Sequence, residues 1–479
     1  MFGSLLTWLT ILLIISIALV IIIDDGDSQS KLIWLLIVSI FPIVGLIFYL
    51  LLGINQRNNW YFRKNHQRYY EYLQKNLTPE LREFLFNKKH QENISEEYRP
   101  LLNIAQSDVQ TPTVSDADEV EIITSGKRKY QLLMQDLANA KHSIHLEYFR
   151  FGKDESSRAV LDMLIKKAQE GVEVRFIYEN IVNPPISPKY FRRLRKEGIE
   201  VINFTNTRFD LLRFICSLNY RDHRKIVVID GKIGYTGGMN INDNYFHKWR
   251  DTHLRLTGNA VAALQYIFFD SWFMAEGELK KPFNDYFPML NRQPHKGKRT
   301  VQLIADAPEM KWPILQMTQE WLLENAKNYM YFQTPYLAPP AALLHTIQTA
   351  ALSGIDVRIM VPKKNDTPLM RLINRSHYSS LLQAGVKIYE RSGEFIHAKT
   401  YIVDDEVCSV GSANMDNRSL TMCYELNTQL FDQQLAQESK QTFFEDMKQC
   451  EEIKLEAWSK YAKWRKVQYG FARILAPLM

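Results

Sequence analysis

Cysteine is scarce in this chain. Among 479 residues there are four, Cys216, Cys408, Cys423 and Cys450. None forms a C-x-x-C pair and none has a histidine at zinc-like spacing, so the sequence predicts a reduced compartment, no disulfide framework and no structural metal. Charge is absent from two stretches near the start. Leu5 to Ile23 and Leu32 to Leu52 carry no charged residue and are almost wholly apolar. Each has about the ~20 residues that a helix needs to cross a bilayer. No basic segment precedes Leu5 and no small-x-small site follows Ile23, which argues against a cleaved signal peptide. No acidic residue follows Glu456.

Hydrophobic content of 46% and charged content of 23% indicate folded domains rather than disorder. The length calls for more than one of them. A net charge of +6 suits an anionic partner such as lipid headgroups or nucleic acid. The two apolar runs flank the acidic DDGDSQSK, and the second is followed by the basic, aromatic QRNNWYFRKNHQRYYEYLQK. Basic flanks stay in the cytoplasm, so residues 1–53 read as a transmembrane helical hairpin with the main body on the cytoplasmic side. Trp34 and Trp60 lie near the ends of the second span, and Pro42 and Gly45 inside it are compatible with a kinked membrane helix. Residues 54–115 read as a helical linker lying near the membrane. From residue 116 onward helical and strand patterns alternate, as in α/β layers.

The alternation repeats itself. AKHSIHLEYF from Ala140 resembles AKNYMYFQTPY from Ala326, EGVEVRFIY from Glu170 resembles SGIDVRIMV from Ser353, and KEGIEVINF from Lys196 resembles QAGVKIYE from Gln383. The separations stay between 183 and 187 residues, which points to an internal duplication, with one half in 116–295 and the other in 296–479. In the last two pairs a glycine at a helix end fits a left-handed cap followed by a strand.

Both halves carry H-x-K-x4-D-x6-G-[GS]-x-N: His223, Lys225, Asp230 and Asn240 in the first, His397, Lys399, Asp404 and Asn414 in the second. If the motif begins a strand, each His and Lys project to the same side. Asp230 and Asp404 fall at odd offset beside the following turn, better placed to fix that turn than to touch reacting atoms. Asp251 and Glu425 each stand 28 residues after the histidine of their own half. A carboxylate bonded to one imidazole nitrogen fixes the tautomer and leaves the other nitrogen for chemistry, so these two are the candidate orienting groups; the alternative is a surface ion pair for each. His253 and Asn427 hold matching places after the acids and either line the site or pack behind it. Lysine and asparagine donors suit the non-bridging oxygens of a phosphate ester. One neutral histidine can attack phosphorus while a protonated histidine opposite gives its proton to the leaving alkoxide. Two halves facing each other would build a single site for this reaction.

The doubled motif resembles the phospholipase D superfamily. LNYRDHRKIVVIDGKIGYTGGMNI, WRDTHLRLTG, TPYLAPP, LLQAGVKIYE, EFIHAKT and GSANMDNRSL, with the paired N-terminal spans and the ARILAPLM ending, resemble the bacterial cardiolipin synthases within it. The likeness runs over nearly the whole chain. It implies an α/β fold of two pseudo-symmetric halves with central sheets flanked by helices. It also implies a phosphatidyltransferase of the bacterial cell membrane that joins two phosphatidylglycerols into cardiolipin and glycerol, with no cofactor and no metal. A phospholipase D-type phosphodiester hydrolase, or a transferase using another phospholipid donor or acceptor, is the alternative, and a membrane hairpin disfavours nucleic acid as substrate. The family's catalytic residues map onto His223, Lys225, Asp230, His397, Lys399 and Asp404, with His223 as the nucleophile by analogy with relatives. Asp222 departs from the family's usual Asn.

Two further segments stand out. Gly198 to His223 spans 25 residues where Gly385 to His397 spans 12, and the extra NTRFDLLRFICSL reads either as an acyl-chain entrance or as a packing loop. The basic, aromatic WSKYAKWRKVQYGFARILAPLM reads either as a helix lying on anionic lipid or as one docked on its own domain.

Overall fold

A computed structural model describes residues 2–23, 28–49, 70–86, 94–107, 114–179, 188–204, 220–291, 298–460 and 463–476, with the single residues 53, 67 and 112. The insert NTRFDLLRFICSL lies outside the described residues. At the N-terminus, α1 (Phe2–Ile23), α2 (Ser28–Ile40) and α3 (Pro42–Phe48) pack together through Ile17, Ile21, Trp34, Val38 and Tyr49. The break between α2 and α3 falls at Pro42, which has no backbone N–H to continue a helix. Among the described residues no helix is long and apolar enough to cross a membrane.

The linker is helical where described, in Pro79–Phe86 and Arg99–Ala105, but its apolar face is turned to the main body. Leu73, Leu77, Leu81, Leu85, Leu101 and Ala105 are all buried in the largest core. Gln74 donates to the Tyr266 hydroxyl at 3.0 Å. Six leucine and alanine side chains removed from water account for this docking.

Each half is a sheet with helices on its faces. The first contains β1 (Val120–Ile123), β2 (Ser143–Tyr148), β3 (Glu173–Tyr178), β4 (Glu200–Asn203), β5 (Lys225–Ile229), β6 (Ile233–Gly237) and β7 (His253–Thr257), in the order β1-β7-β6-β5-β2-β3-β4. The second contains β8 (Arg299–Asp306), β9 (Tyr329–Gln333), β10 (Asp356–Pro362), β11 (Lys387–Arg391), β12 (Thr400–Val403), β13 (Val407–Gly411), β14 (Cys423–Phe431) and β15 (Cys450–Ile453), in the order β8-β14-β13-β12-β9-β10-β11-β15. Six neighbours in one sheet, β7-β6-β5-β2-β3-β4, match six in the other, β14-β13-β12-β9-β10-β11, so the duplication is a duplication of topology. The parallel strands β2, β3, β9 and β10 are buried along nearly their whole length, as strands covered on both faces must be.

Gly171, Gly198, Gly354 and Gly385 have φ between +86° and +100°. A Cβ at any of them would meet nothing within 4 Å, so it is the backbone conformation at the helix end that selects glycine.

The halves are not separate globules. The helix α4 (Ala260–Met274) is apolar on every side and all but one of its residues are buried. It lies in a core shared by residues of both sheets. Ser115–Ala117, at the start of the first half by sequence, pairs instead with β8 at the edge of the second sheet.

Candidate active site

The two histidines precede their strands rather than lying on them, since β5 begins at Lys225 and β12 at Thr400. The reason is a reciprocal exchange between the halves. Arg221 and Asp222 pair in parallel with Cys423 and Tyr424, and the His223 N–H donates to the Tyr424 carbonyl at 2.9 Å. Phe395 and Ile396 pair in parallel with Trp249 and Arg250, and the His397 N–H donates to the Arg250 carbonyl at 2.7 Å. Each histidine is thus delivered to the residue just before the opposite half's acid.

The side chains follow the backbone. His223 Nδ1 lies 2.9 Å from Glu425 Oε1 and 3.1 Å from Oε2. His397 Nδ1 lies 2.7 Å from Asp251 Oδ2. Asp251 and Glu425 each lie within hydrogen-bonding distance of an imidazole nitrogen, and each meets the histidine of the other half. An Nδ1–H donated to the carboxylate would leave the Nε2 lone pair free.

The G-[GS] pair makes room for the acids. A Cβ on Gly238 would sit 2.2 Å from Asp251 Oδ1. At the matching place Ser412 carries a hydroxyl that donates to Glu425 Oε2. One residue earlier, a Cβ on Gly237 would crowd His253 and one on Gly411 would crowd Asn427. His253 and Asn427 are both buried behind the site and do not reach its surface.

The lysines lie behind the histidines. Lys225 Nζ donates to the His223 carbonyl at 2.5 Å, and Lys399 Nζ donates to the His397 carbonyl and lies 2.7 Å from His397 Nδ1. Burial pulls the Lys225 ammonium down to about 8 and that of Lys399 down to about 7. Burial also lowers both histidines, His397 to about 3, with the Lys399 charge adding to the effect. Burial opposes ionisation of Asp251 and Glu425 too. The Lys399 and His397 charges outweigh it at Asp251, and the His223 and Lys225 charges outweigh it at Glu425, so both acids are held below the ordinary carboxylate range.

His223 and His397 open into one cavity of about 360 Å³. Asn240 and Asn414 also line it. Asn240 donates to the Tyr245 hydroxyl at 3.0 Å and Asn414 donates to the Ser419 hydroxyl at 3.2 Å, another matched pair five residues on in each half. Phe149, Trp249, Tyr336 and Met370 make apolar walls, and Arg150, Arg221 and Arg418 bring cations. Beneath Asn240 a buried Lys129 donates to the Tyr148 hydroxyl and the Met239 carbonyl, both at 3.0 Å. Burial draws its ammonium down to about 7.

With this geometry in view, comparison with known proteins is decisive. A family model described as a cardiolipin synthase, phospholipase D-like domain matches residues 133–272 and 321–447. A second, described as a phospholipase D-nuclease N-terminal segment, matches residues 8–53. Among relatives, a cardiolipin synthase of Geobacillus sp. (strain WCH70) is 36% identical over 100% of this chain and 95% of its own length. Cardiolipin synthase 2 of Bacillus anthracis is 35% identical over 97% of this chain and 89% of its own length. This chain belongs to the cardiolipin synthase family of the phospholipase D superfamily. In fold it is similar to the crystal structure of a phosphatidylserine synthase from Haemophilus influenzae Rd KW20, with a TM-score of 0.59 at 14% identity, over 80% of this chain and all of that one.

Within this cardiolipin synthase fold, the third residue of each motif stands apart. Asp230 accepts backbone N–H groups of Lys141, His142 and Ser143 at 2.9, 2.7 and 2.9 Å. Asp404 accepts those of Lys327, Asn328 and Tyr329. Both have positive φ, 52° and 50°, at the turn between β5 and β6 and its counterpart. Neither lines the cavity; each clamps the start of β2 or β9 to the turn. Asp222 also faces away. Its Oδ1 lies 3.2 Å from Arg224 Nε, which is 3.1 Å from Glu147 Oε1 as well. Burial and the neighbouring Asp222 push Glu147 well above the carboxylate range.

Sequence reasoning missed Lys129, Tyr245, Ser419 and the cavity arginines. Tyr245 and Ser419 could have been found, because they share the 174-residue offset that relates the two histidines. Lys129 carries no such mark; it lies beneath Asn240 on a helix, Gly126–Asn139, whose Gly126 packs against the Tyr245 backbone.

Proposed function

We propose that this chain is a membrane phosphatidyltransferase that makes cardiolipin and glycerol from two phosphatidylglycerol molecules through a phosphohistidine intermediate. The observation that carries the reading is the pair of imidazoles in one cavity, each with Nδ1 held by a carboxylate from the opposite half. That arrangement offers two Nε2 atoms to one phosphorus.

His223 Nε2 attacks the phosphorus of the donor lipid. The P–O bond to glycerol breaks, and His397 gives its proton to the departing alkoxide. A hydroxyl of the second phosphatidylglycerol then gives its proton to His397 and attacks the same phosphorus, the P–N bond breaks, and His223 is restored. Glu425 and Asp251 stabilise the imidazolium formed on each side. A bound phosphodiester anion favours the protonated form of a neighbouring cationic group, which supplies the proton that His397 gives to the leaving alkoxide. Asn240 and Asn414 offer side-chain amide donors beside the phosphorus, and Arg150, Arg221 and Arg418 attract the anionic headgroups. Two lysines held behind the histidines add positive potential in a buried, low-dielectric setting.

The N-terminal helices α1 to α3 anchor the enzyme in the bacterial cell membrane, with the catalytic body on the cytoplasmic side. The acidic turn and the basic exit of the hairpin support this orientation. Reporter fusions at Ile23 and at the C-terminus test it, and an extracytoplasmic C-terminus would overturn it.

The activity is tested by supplying the purified full chain with phosphatidylglycerol and following products by mass. Cardiolipin and glycerol in equal amounts are expected. Phosphatidic acid without cardiolipin would instead identify a hydrolase.

A further inference from the structure

The last helix has three different faces. In α6 (Lys463–Leu475), Ala472 and the following Ala476 are buried against Ala338, Met370 and Ile373. Trp464, Val467, Phe471 and Ile474 are 58%, 58%, 68% and 62% exposed. At about 100° per residue these four fall within an arc of about 80°, roughly opposite the alanines. Lys466 and Arg473, both exposed, lie between the two faces. One face therefore docks on the protein through small residues, while large apolar side chains stand in a stripe on the other. A stripe of four bulky residues on a soluble surface calls for a partner. Its basic border and the absence of any acid after Glu456 select an anionic one.

The docking face leads directly to the catalytic cavity. The alanines of α6 rest on α5 (Pro368–Ser376), whose Met370 both packs with Ala472 and lines the cavity. Asp366 and Thr367, just before α5, form the exposed part of the same wall. Tyr336, which donates to Asp366 Oδ2 at 2.7 Å, completes it and packs against the same cluster.

We propose that α6 lies in the headgroup–acyl boundary of an anionic bilayer and, through α5, holds the mouth of the cavity against that surface. Lipid headgroups then reach the histidines while their acyl chains stay in the membrane. The stripe, the basic border and the shared Met370 wall each contribute to this reading, and only the purpose of the cavity rests on the transferase proposal. The N-terminal hairpin tethers the chain; α6 sets its tilt. Interfacial helices bind through this combination of buried apolar area and attraction to anionic lipid.

The test uses the full chain in vesicles of phosphatidylserine and phosphatidylcholine without phosphatidylglycerol. Benzoylphenylalanine is placed at Phe471, at Trp464 or at the inward-facing Tyr469, and adducts are read by mass after irradiation. Phospholipid adducts at 464 and 471 but not at 469, reduced when phosphatidylserine is left out, are the expected result. No lipid adduct at 464 or 471, or adducts to a second copy of the chain, would overturn the proposal. In a second arm, Trp464→Ser with Phe471→Ser is expected to slow turnover of long-chain phosphatidylglycerol in vesicles by at least about 10-fold. Turnover of dihexanoyl phosphatidylglycerol in solution should stay within about 2-fold, since no bilayer is then needed. Equal loss on both substrates would mean that the stripe is structural. Lipid adducts in a protein that turns over neither substrate would leave the docking intact and reject the transferase reading instead.

Discussion

His397 of the second half and Asp251 of the first meet at 2.7 Å between Nδ1 and Oδ2, and His223 and Glu425 make the reciprocal pair at 2.9 Å. Each imidazole meets a carboxylate of the opposite half. The pairing of Phe395–Ile396 with Trp249–Arg250, and of Arg221–Asp222 with Cys423–Tyr424, is what forces the crossing. Site assembly is thereby made dependent on the docking of the two sheets.

The crossing gives a test that distinguishes partners. Asp251→Asn and Glu425→Gln should each lower kcat by roughly 10³–10⁴-fold, the scale seen when an orienting carboxylate is made an amide. With a phosphatidyl ester of p-nitrophenol, a leaving group that needs no proton, His397→Ala and Asp251→Asn should still release one nitrophenol per site and then stall. His223→Ala and Glu425→Gln should give no burst. If Asp251→Asn instead behaves like His223→Ala, the crossed assignment or the choice of nucleophile is wrong.

The space around the acids predicts an order of severity. A Cβ at residue 238 would stand 2.2 Å from Asp251 Oδ1, so Gly238→Ala must displace the carboxylate or the strand bearing it. A displacement of that kind can cost about 10²-fold in turnover. Ser412→Ala removes only the hydroxyl that holds Glu425, and a loss of about 10-fold is expected for one charge-assisted bond. Steady-state kinetics on both variants check the ranking, and a Gly238→Ala enzyme faster than Ser412→Ala would refute the packing argument.

Asp404 should matter to stability more than to chemistry. It accepts three consecutive backbone N–H groups at the start of β9 and lies off the cavity. Asp404→Ala is expected to cost about 1–3 kcal/mol of stability, read as a lower unfolding midpoint. Turnover per folded molecule should fall by no more than about 10-fold, in contrast to His397→Ala. An undiminished midpoint with abolished turnover would return Asp404 to the reacting groups.

Much of this arrangement is readable from residue spacing. The duplication, the left-handed glycine caps and the matched offsets of Asp251 and Glu425 are all periodic signals, and periodicity survives folding. Which acid serves which histidine is not periodic. It is set by two short strand pairings between halves, at residues 221–222 and 395–396, that no local pattern marks. The expectation that His and Lys share a strand face fails for the same reason, because the histidine backbone is pulled into the opposite half before the strand begins. The direction of the linker's apolar face is set by the core that it shares with α4, a tertiary fact. Lys129 belongs to this class as well.

The buried lysines predict how the free enzyme responds to pH. A lysine drawn below its ordinary range sheds its proton earlier as pH rises, and here Lys399 does so near about 7 and Lys225 near about 8. Above that range the charge behind the histidines is gone and the phosphodiester is attracted less. On the acid side Asp251 and Glu425 stay ionised, and loss of activity comes when the attacking imidazole is protonated. Burial has moved that event, at His223, below the ordinary histidine value. A plot of kcat/KM against pH should therefore be bell-shaped, with its alkaline limb between about 7 and about 8 and its acid limb below the ~6.5 of a free histidine. Lys399→Arg keeps a charge that cannot be removed in this range, so its alkaline limb should move up toward the value left by Lys225. An alkaline limb that stays where it was in Lys399→Arg would show that some other group sets it.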